Sequence, residues 1–218
     1  QPDVLNSNNV PVPDAGYVPS CFDGGSDCDN RPYPSVLWEF QDRDAVTIGG
    51  VTTVIPLDED LNGARDLSNS WSRPSTGRIR VCTGSCNSVD DIEDRFVAVF
   101  GGGVGDNPSP GAGNYIYMVD IETGRVIYKK PVIGAVPADI AAIDSNGDSY
   151  IDRLYFGTVS GFVYKVEFDA ATTPMRIQNQ TFTTRYFGVN YTFEAERLIG
   201  PSGDTRKYDP FQVFTTGG

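Results

Sequence analysis

Three observations predict an all-β fold. No stretch of ten or more residues carries a helical apolar period, short runs alternate apolar and polar side chains, and Gly, Pro, Asn and Asp bound those runs. The two clearest segments also repeat one another. F-V-A-V-F-G-G, N-Y-I-Y-M-V-D and R-V-I-Y-K-K parallel D-R-L-Y-F-G-T, G-F-V-Y-K-V-E-F and M-R-I-Q-N-Q-T-F. Each unit has a buried strand ending in glycine, a middle strand ending near an acidic residue, and an outer strand. Their offset falls within propeller-blade periods once long loops are allowed. The expected architecture is a modified β-propeller, partial or incomplete as a ring, with long irregular loops. A β-sandwich is the rival, since it too uses short strands at regular spacing.

Taken in order, residues 1–34 are rich in Pro, Asn, Asp and Gly and read as an extended, loop-rich arm pinned by Cys21 and Cys28. Residues 35–218 read as the propeller-type domain, part of a larger propeller. Ser35–Phe40 is its first expected strand, with Trp38 as a core anchor. A polar excursion through Asp42–Gly50 precedes a short apolar strand, Val51–Pro56. Gly77–Val81 is the next strand, and Cys82–Asp94 a cystine-closed acidic loop. Phe96–Phe100 is a continuous apolar run, expected at a buried inner position. The glycine-rich stretch that follows lacks the Lys-Ser/Thr and helix of a phosphate cradle, so it reads as a tightly turned loop. Two alternating strands joined at Glu122-Thr123-Gly124 come next. After Phe168, Met175–Thr184 and Phe211–Phe214 are the remaining expected strands.

Composition removes whole classes of function. Twenty-nine Asp and Glu against 17 Lys and Arg give a net charge of −12, which argues against nucleic acid or an anionic membrane surface as partner. No run of eighteen apolar residues is present to span a bilayer, and no signal peptide precedes the chain, which reads as a mature form or an excised fragment. Histidine is absent, so Ser-His-Asp and Cys-His nucleophile pairs are excluded, with the commonest zinc and copper ligand. The chain is expected not to be an enzyme. The four cysteines form two local pairs, and Cys21–Cys28 and Cys82–Cys86 are favoured as disulfides over cross-pairing or free thiols. Such cystines imply an oxidising, extracytoplasmic location.

Two acidic loops carry metal-ligand spacing. Asp144, Asn146, Asp148 and Asp152 stand at positions 1, 3, 5 and 9 of a calcium loop, with the Tyr150 carbonyl at position 7. Ca²⁺ takes six to eight hard oxygen ligands on a turned backbone, and this spacing supplies them. Ser149 holds the place of the usual glycine, and Tyr155 that of the bidentate Glu. An alternating strand follows, so the loop reads as one that launches a strand. The bland alternative is an acidic surface turn. A second, weaker candidate is Asp58, Asp60, Asn62 and Asp66, whose glycine, Gly63, is at position 6. No alternating strand follows it, and a solvated acidic loop is the favoured reading there.

The ordered string V-L-W-E-F, W-S-R-P, R-F-V-A-V-F-G-G-G, Y-I-Y-M-V-D-I-E-T-G-R-V-I and A-A-I-D-S-N-G-D-S-Y-I-D-R-L-Y-F-G-T-V-S-G-F-V-Y-K-V-E-F resembles the C-terminal domain of PilY-type proteins. These are tip-associated adhesins and biogenesis factors of type IV pili. The resemblance implies a modified β-propeller with a calcium loop, Ca²⁺ on Asp144, Asn146, Asp148, Tyr150 and Asp152, and a place at the pilus tip. It implies minor pilins or other tip components as partners, with a host or abiotic surface as a further target, and calcium-linked pilus extension and retraction. Single blades also resemble quinoprotein-dehydrogenase repeats. A quinoprotein-like enzyme and a glycan- or matrix-binding propeller are therefore the alternatives.

Overall fold

A computed structural model describes residues 4–5, 11–12, 38–84, 86, 88–105, 111–168, 174–200, 203–204 and 206–216. The chain forms two compact units, Gln1–Ile55 and Pro56–Gly218.

In the first unit β1 (Val4–Leu5) pairs antiparallel with β2 (Pro11–Val12). A two-stranded sheet joins β3 (Arg43–Ile48) to β4 (Val51–Pro56), whose last residue opens the second unit. Gly49 and Gly50 turn between them at φ 57° and 83°, which glycine adopts without steric cost. β3 lies in what reads as a polar excursion. Its charged residues hide the alternation that buries Val46 between exposed Ala45 and Thr47. Trp38, Glu39 and Phe40 are not in a strand, and Trp38 is only half-buried. Cys21 and Cys28 lie outside the described residues.

The second unit is built on two sheets. β5 (Ser75–Cys82), β6 (Ile92–Gly101), β7 (Tyr115–Asp120) and β8 (Val126–Pro131) form an antiparallel meander. A long hairpin, β12 (Met175–Tyr186) with β13 (Val189–Ile199), joins it through a short parallel pairing of β12 with β5. The order is β13-β12-β5-β6-β7-β8. The other sheet runs β14-β11-β10-β9, from β9 (Ala141–Ile143), β10 (Arg153–Gly157), β11 (Phe162–Glu167) and β14 (Phe211–Thr215). Ile79, Val81, Val97, Val99, Ile116 and Met118 of the first sheet share one core with Leu154, Phe156, Tyr164 and Val166 of the second. Among the described residues the fold is all-β, and none of the sheets closes on itself.

The expected repeat holds for two strands of each unit and changes at the third. β8 completes the first unit, but Met175–Thr184 leaves the second. β12 is occupied along its whole length by β13, and β14 pairs with β11 instead. β13 itself is an addition to the expected strands, and of the run Phe96–Phe100 expected at a buried position, Phe96 is instead 64% exposed while Val97–Phe100 are buried. The Cys82–Cys86 disulfide forms as expected, at an S–S distance of 1.98 Å.

β7 is buried on both faces. Ile116 and Met118 enter the core, while Tyr115 and Tyr117 point the opposite way by strand alternation. Lys129 of β8 lies over both tyrosine rings, 4.9 and 5.6 Å from their centroids. The loop from Asp58 to Asp66 closes over Lys129. Behind it, Gly103 and Gly113 let backbones meet: a Cβ on Gly113 would stand 2.1 Å from the Gly103 carbonyl oxygen.

Candidate metal centre

The two acidic loops share one backbone design. At position 1, Asp58 Oδ2 accepts the Gly63 N–H at 2.9 Å, and Asp144 Oδ2 accepts the Ser149 N–H at 2.7 Å. At position 9, Asp66 Oδ2 accepts the Glu59 N–H at 2.8 Å, and Asp152 Oδ2 accepts the Ser145 N–H at 2.7 Å. Positions 3 and 5 repeat the match. Asp60 Oδ1 accepts from Asn62 N at 3.2 Å, and Asn146 Oδ1 from Asp148 N at 2.9 Å. Asn62 Oδ1 accepts from Ala64 N at 2.8 Å, and Asp148 Oδ1 from Tyr150 N at 2.9 Å. Positions 4 and 6 are left-handed in both: Leu61 and Gly63 at φ 60° and 87°, Gly147 and Ser149 at 82° and 72°. Two non-glycine residues thus hold a conformation that costs an L side chain roughly 1–2 kcal/mol.

What separates the loops is how their carboxylates gather. Asp58, Asp60 and Asp66 bring one oxygen each within 4.8 Å of one another, the one such group among the described residues. Asp144, Asp148 and Asp152 do not reach that distance. Asp144 and Asn146 are exposed, whereas Tyr150 and Asp152 are buried. Asp152 also accepts from the Ser145 hydroxyl at 2.8 Å. The Tyr150 ring lies beneath the Arg78 and Arg80 guanidinium groups, and its hydroxyl donates to Asp94 at 2.9 Å.

The surroundings of the Asp58 loop come from far along the chain. Lys129 Nζ, fully buried, donates to Asp66 Oδ2 at 2.7 Å and to Glu59 Oε1 at 2.8 Å. Arg197 Nη2 of β13 reaches the same Glu59 oxygen at 3.2 Å. The carboxylates of Asp66 and Glu59 are thus paired with Lys129 and Arg197, those of Asp58 and Asp60 form no ion pair with either, and Arg185 Nη1 donates to the Leu61 carbonyl of the loop at 3.3 Å. Asp58 N donates to the buried Thr184 Oγ1 at 2.8 Å, and Arg185 N donates to the Asp58 carbonyl at 3.2 Å, which fixes the loop to β12. Asn114 Nδ2 donates to Asp60 Oδ2 at 2.7 Å.

The two position 1 carboxyls are pushed in opposite directions. Burial raises Asp58 above its ordinary value, and the hydrogen bond and charge of Asp60 add to this against the pull of the Gly63 and Asn62 N–H groups. Desolvation acts upward on Asp144 as well. There the N–H groups of Ser149, Gly147, Asn146 and Asp148 outweigh it and hold the carboxyl below its ordinary value.

Spacing alone finds both loops, but ranks Asp144 first because a strand follows it. Glu59, Lys129, Arg197, Thr184 and Asn114 carry no local signal, save that Lys129 interrupts an apolar strand. The ligand set is all oxygen and charge-rich, which suits a hard divalent cation. Comparison of the chain with family models, curated proteins and solved structures finds no match.

Proposed function

We propose that this chain is a calcium-binding, non-catalytic module of a PilY-type protein at the tip of a type IV pilus. The observation that carries the calcium part is the Asp58, Asp60 and Asp66 trio, whose oxygens gather although only Asp66 of the three is held by a buried cation, Lys129. Several carboxylate oxygens from one loop favour Ca²⁺ over Mg²⁺, which demands a near-ideal octahedron and gives up its waters reluctantly. In this reading Asn62 and the Ala64 carbonyl complete the loop's own ligands. The Asp144–Asp152 loop, with the same hydrogen-bond design, is a second calcium site that tightens as the ion draws its carboxylates together. The ion acts as a structural switch and takes no part in bond making.

The pilus part rests on the ordered sequence motifs that resemble the PilY-type domain. The Cys82–Cys86 cystine supports an extracellular setting. In the same reading the sheets belong to a modified β-propeller within a larger protein, and minor pilins or other tip components are the partners.

Calorimetry on the native chain tests the calcium part. Calcium should bind with a dissociation constant on the order of 10⁻⁷–10⁻⁴ M, since neither loop has the position 12 Glu of the tightest sites. Asp60→Ala should remove one binding event and Asp148→Ala the other. A native chain that takes up no calcium would overturn it. For the pilus part, Asp60→Ala combined with Asp152→Ala should leave the protein exported but alter pilus number or surface motility. Normal piliation in that variant would refute the switch.

A further inference from the structure

The Asp58 loop supplies at most five ligands to a cation: Asp58, Asp60, Asn62, the Ala64 carbonyl and Asp66. Position 12 is Asn69, whose backbone is instead bridged to Val104. Calcium takes six to eight oxygens, so protein or water must provide the rest. We infer that Asn114 is a further ligand of this cation, contributed from the start of β7 across the chain; the inference rests on the calcium reading above.

The observations lie at one side chain. Asn114 is 8% exposed, and its Nδ2 stands 2.7 Å from Asp60 Oδ2. Its Oδ1 is buried and has no hydrogen-bond partner. A buried amide oxygen left unsatisfied is uncommon and calls for an explanation in strain, an ordered water or an ion. The last torsion of an asparagine is broad and two-fold, so a half-turn exchanges oxygen for nitrogen within the same space. That half-turn brings Oδ1 to the position now held by Nδ2, beside Asp60 Oδ2, and puts Nδ2 in the buried place Oδ1 leaves. Two acceptor oxygens so close repel in isolation. Around a Ca²⁺ held at 2.3–2.6 Å, neighbouring ligand oxygens stand about 3 Å apart, the spacing this half-turn approaches.

The backbone holds Asn114 in place for the task. Its carbonyl accepts the Val132 N–H at 2.8 Å, and the Gly102 N–H donates to the next carbonyl, that of Tyr115, at 2.8 Å. The turn before it lies against the loop, since a Cβ on Gly111 would come within 2.1 Å of Asn62 Nδ2. The amide therefore swings over the loop from a fixed scaffold. Without the ion it donates to Asp60 and offsets part of the carboxylate repulsion. With the ion it turns and coordinates.

The test uses the full chain carrying Asp148→Ala, so that only the Asp58 loop is read. Calorimetry with Ca²⁺ and Tb³⁺ luminescence lifetimes in H₂O and D₂O report affinity and the number of water ligands. Asn114→Ala should weaken Ca²⁺ binding about tenfold and add one water to bound Tb³⁺. Asn114→Asp, which keeps the oxygen and loses the donor, should bind Ca²⁺ at least as tightly as the Asp148→Ala parent with its water count. Native affinity and water count in Asn114→Ala would overturn the inference, as would equal weakening in both variants, which would mark Asn114 as a hydrogen-bond donor only. If Asp60→Ala binds Ca²⁺ no differently from the parent, the calcium reading of this loop fails as well; loss in Asp60→Ala with none in Asn114→Ala leaves that reading standing and removes only the inference.

Discussion

Lys129 is the most constrained residue of the site. Its ammonium is shut away from water and satisfied by Asp66 and Glu59, with two tyrosine faces beneath it. Removing one member of a buried ion cluster leaves the rest uncompensated, at a cost of about 3–5 kcal/mol. Lys129→Met should lower stability by that amount in urea unfolding with chelator present, and excess calcium should restore part of it. The pKa directions give a second expectation. The ion-free fold holds the Asp58 proton more tightly than the unfolded chain does. Ionising it therefore lowers stability as pH rises from the ordinary 3.8 through the raised value. On the proposed function calcium removes that penalty, so its thermal stabilisation should grow with pH over the same window in calorimetric melts. Asp144 has the reverse sign: its contribution is in place above 3.8 and fades as pH falls through the lowered value.

Among the elements, the β12–β13 hairpin breaks the local rule most plainly. Its turn is Phe187-Gly188 with φ 46° and 79°, a two-residue turn that favours Asn-Gly. Phe187 is 89% exposed, so its ring returns little burial for the unfavourable backbone. Phe187→Asn should stabilise the protein by about 0.5–1 kcal/mol, read as a raised urea midpoint with an unchanged slope. Elements of this unit were legible to different degrees. β6, β7, β10 and β11 announce themselves by apolar runs or alternation, because one or both faces are buried. β3 and β13 do not, since charged and polar residues fill their outward positions. In β13 the period-2 set Val189, Tyr191, Phe193, Ala195 is the signal that marks it. The third strand of the second repeat was misplaced because sequence order cannot say which sheet a strand will join.

At the scale of the molecule, the acidic loops are visible in the sequence and their surroundings are not. Ligand spacing is a property of nine consecutive residues, so it survives in the sequence. Which loop gathers its carboxylates depends on Lys129, Thr184, Arg197 and Asn114, and these are brought in by sheet pairing. The same connections predict where calcium is felt. The Asp58 loop is bonded to β12 through Thr184 and Arg185, and the Asp144 loop to β9 and β5, since Asp152 N donates to Ile143 O and Ile151 N to Arg78 O. Hydrogen exchange with chelator should lose protection at residues 58–66, at the distal end of the β12–β13 hairpin and across 143–154. The core of β6 and β7 should remain protected. Uniform loss across the second unit would mean that the ion supports the whole fold instead of its two loops.

The carboxylates of both loops already sit on backbone N–H groups, with left-handed residues in place at positions 4 and 6. The turns themselves are formed before an ion arrives, and a net charge of −12 draws cations inward. Capture can then run at roughly 10⁸–10⁹ M⁻¹s⁻¹. With a dissociation constant on the order of 10⁻⁷–10⁻⁴ M, release would take from about ten microseconds to about a tenth of a second. A site with that turnover follows the calcium around it from moment to moment and keeps no record of earlier exposure.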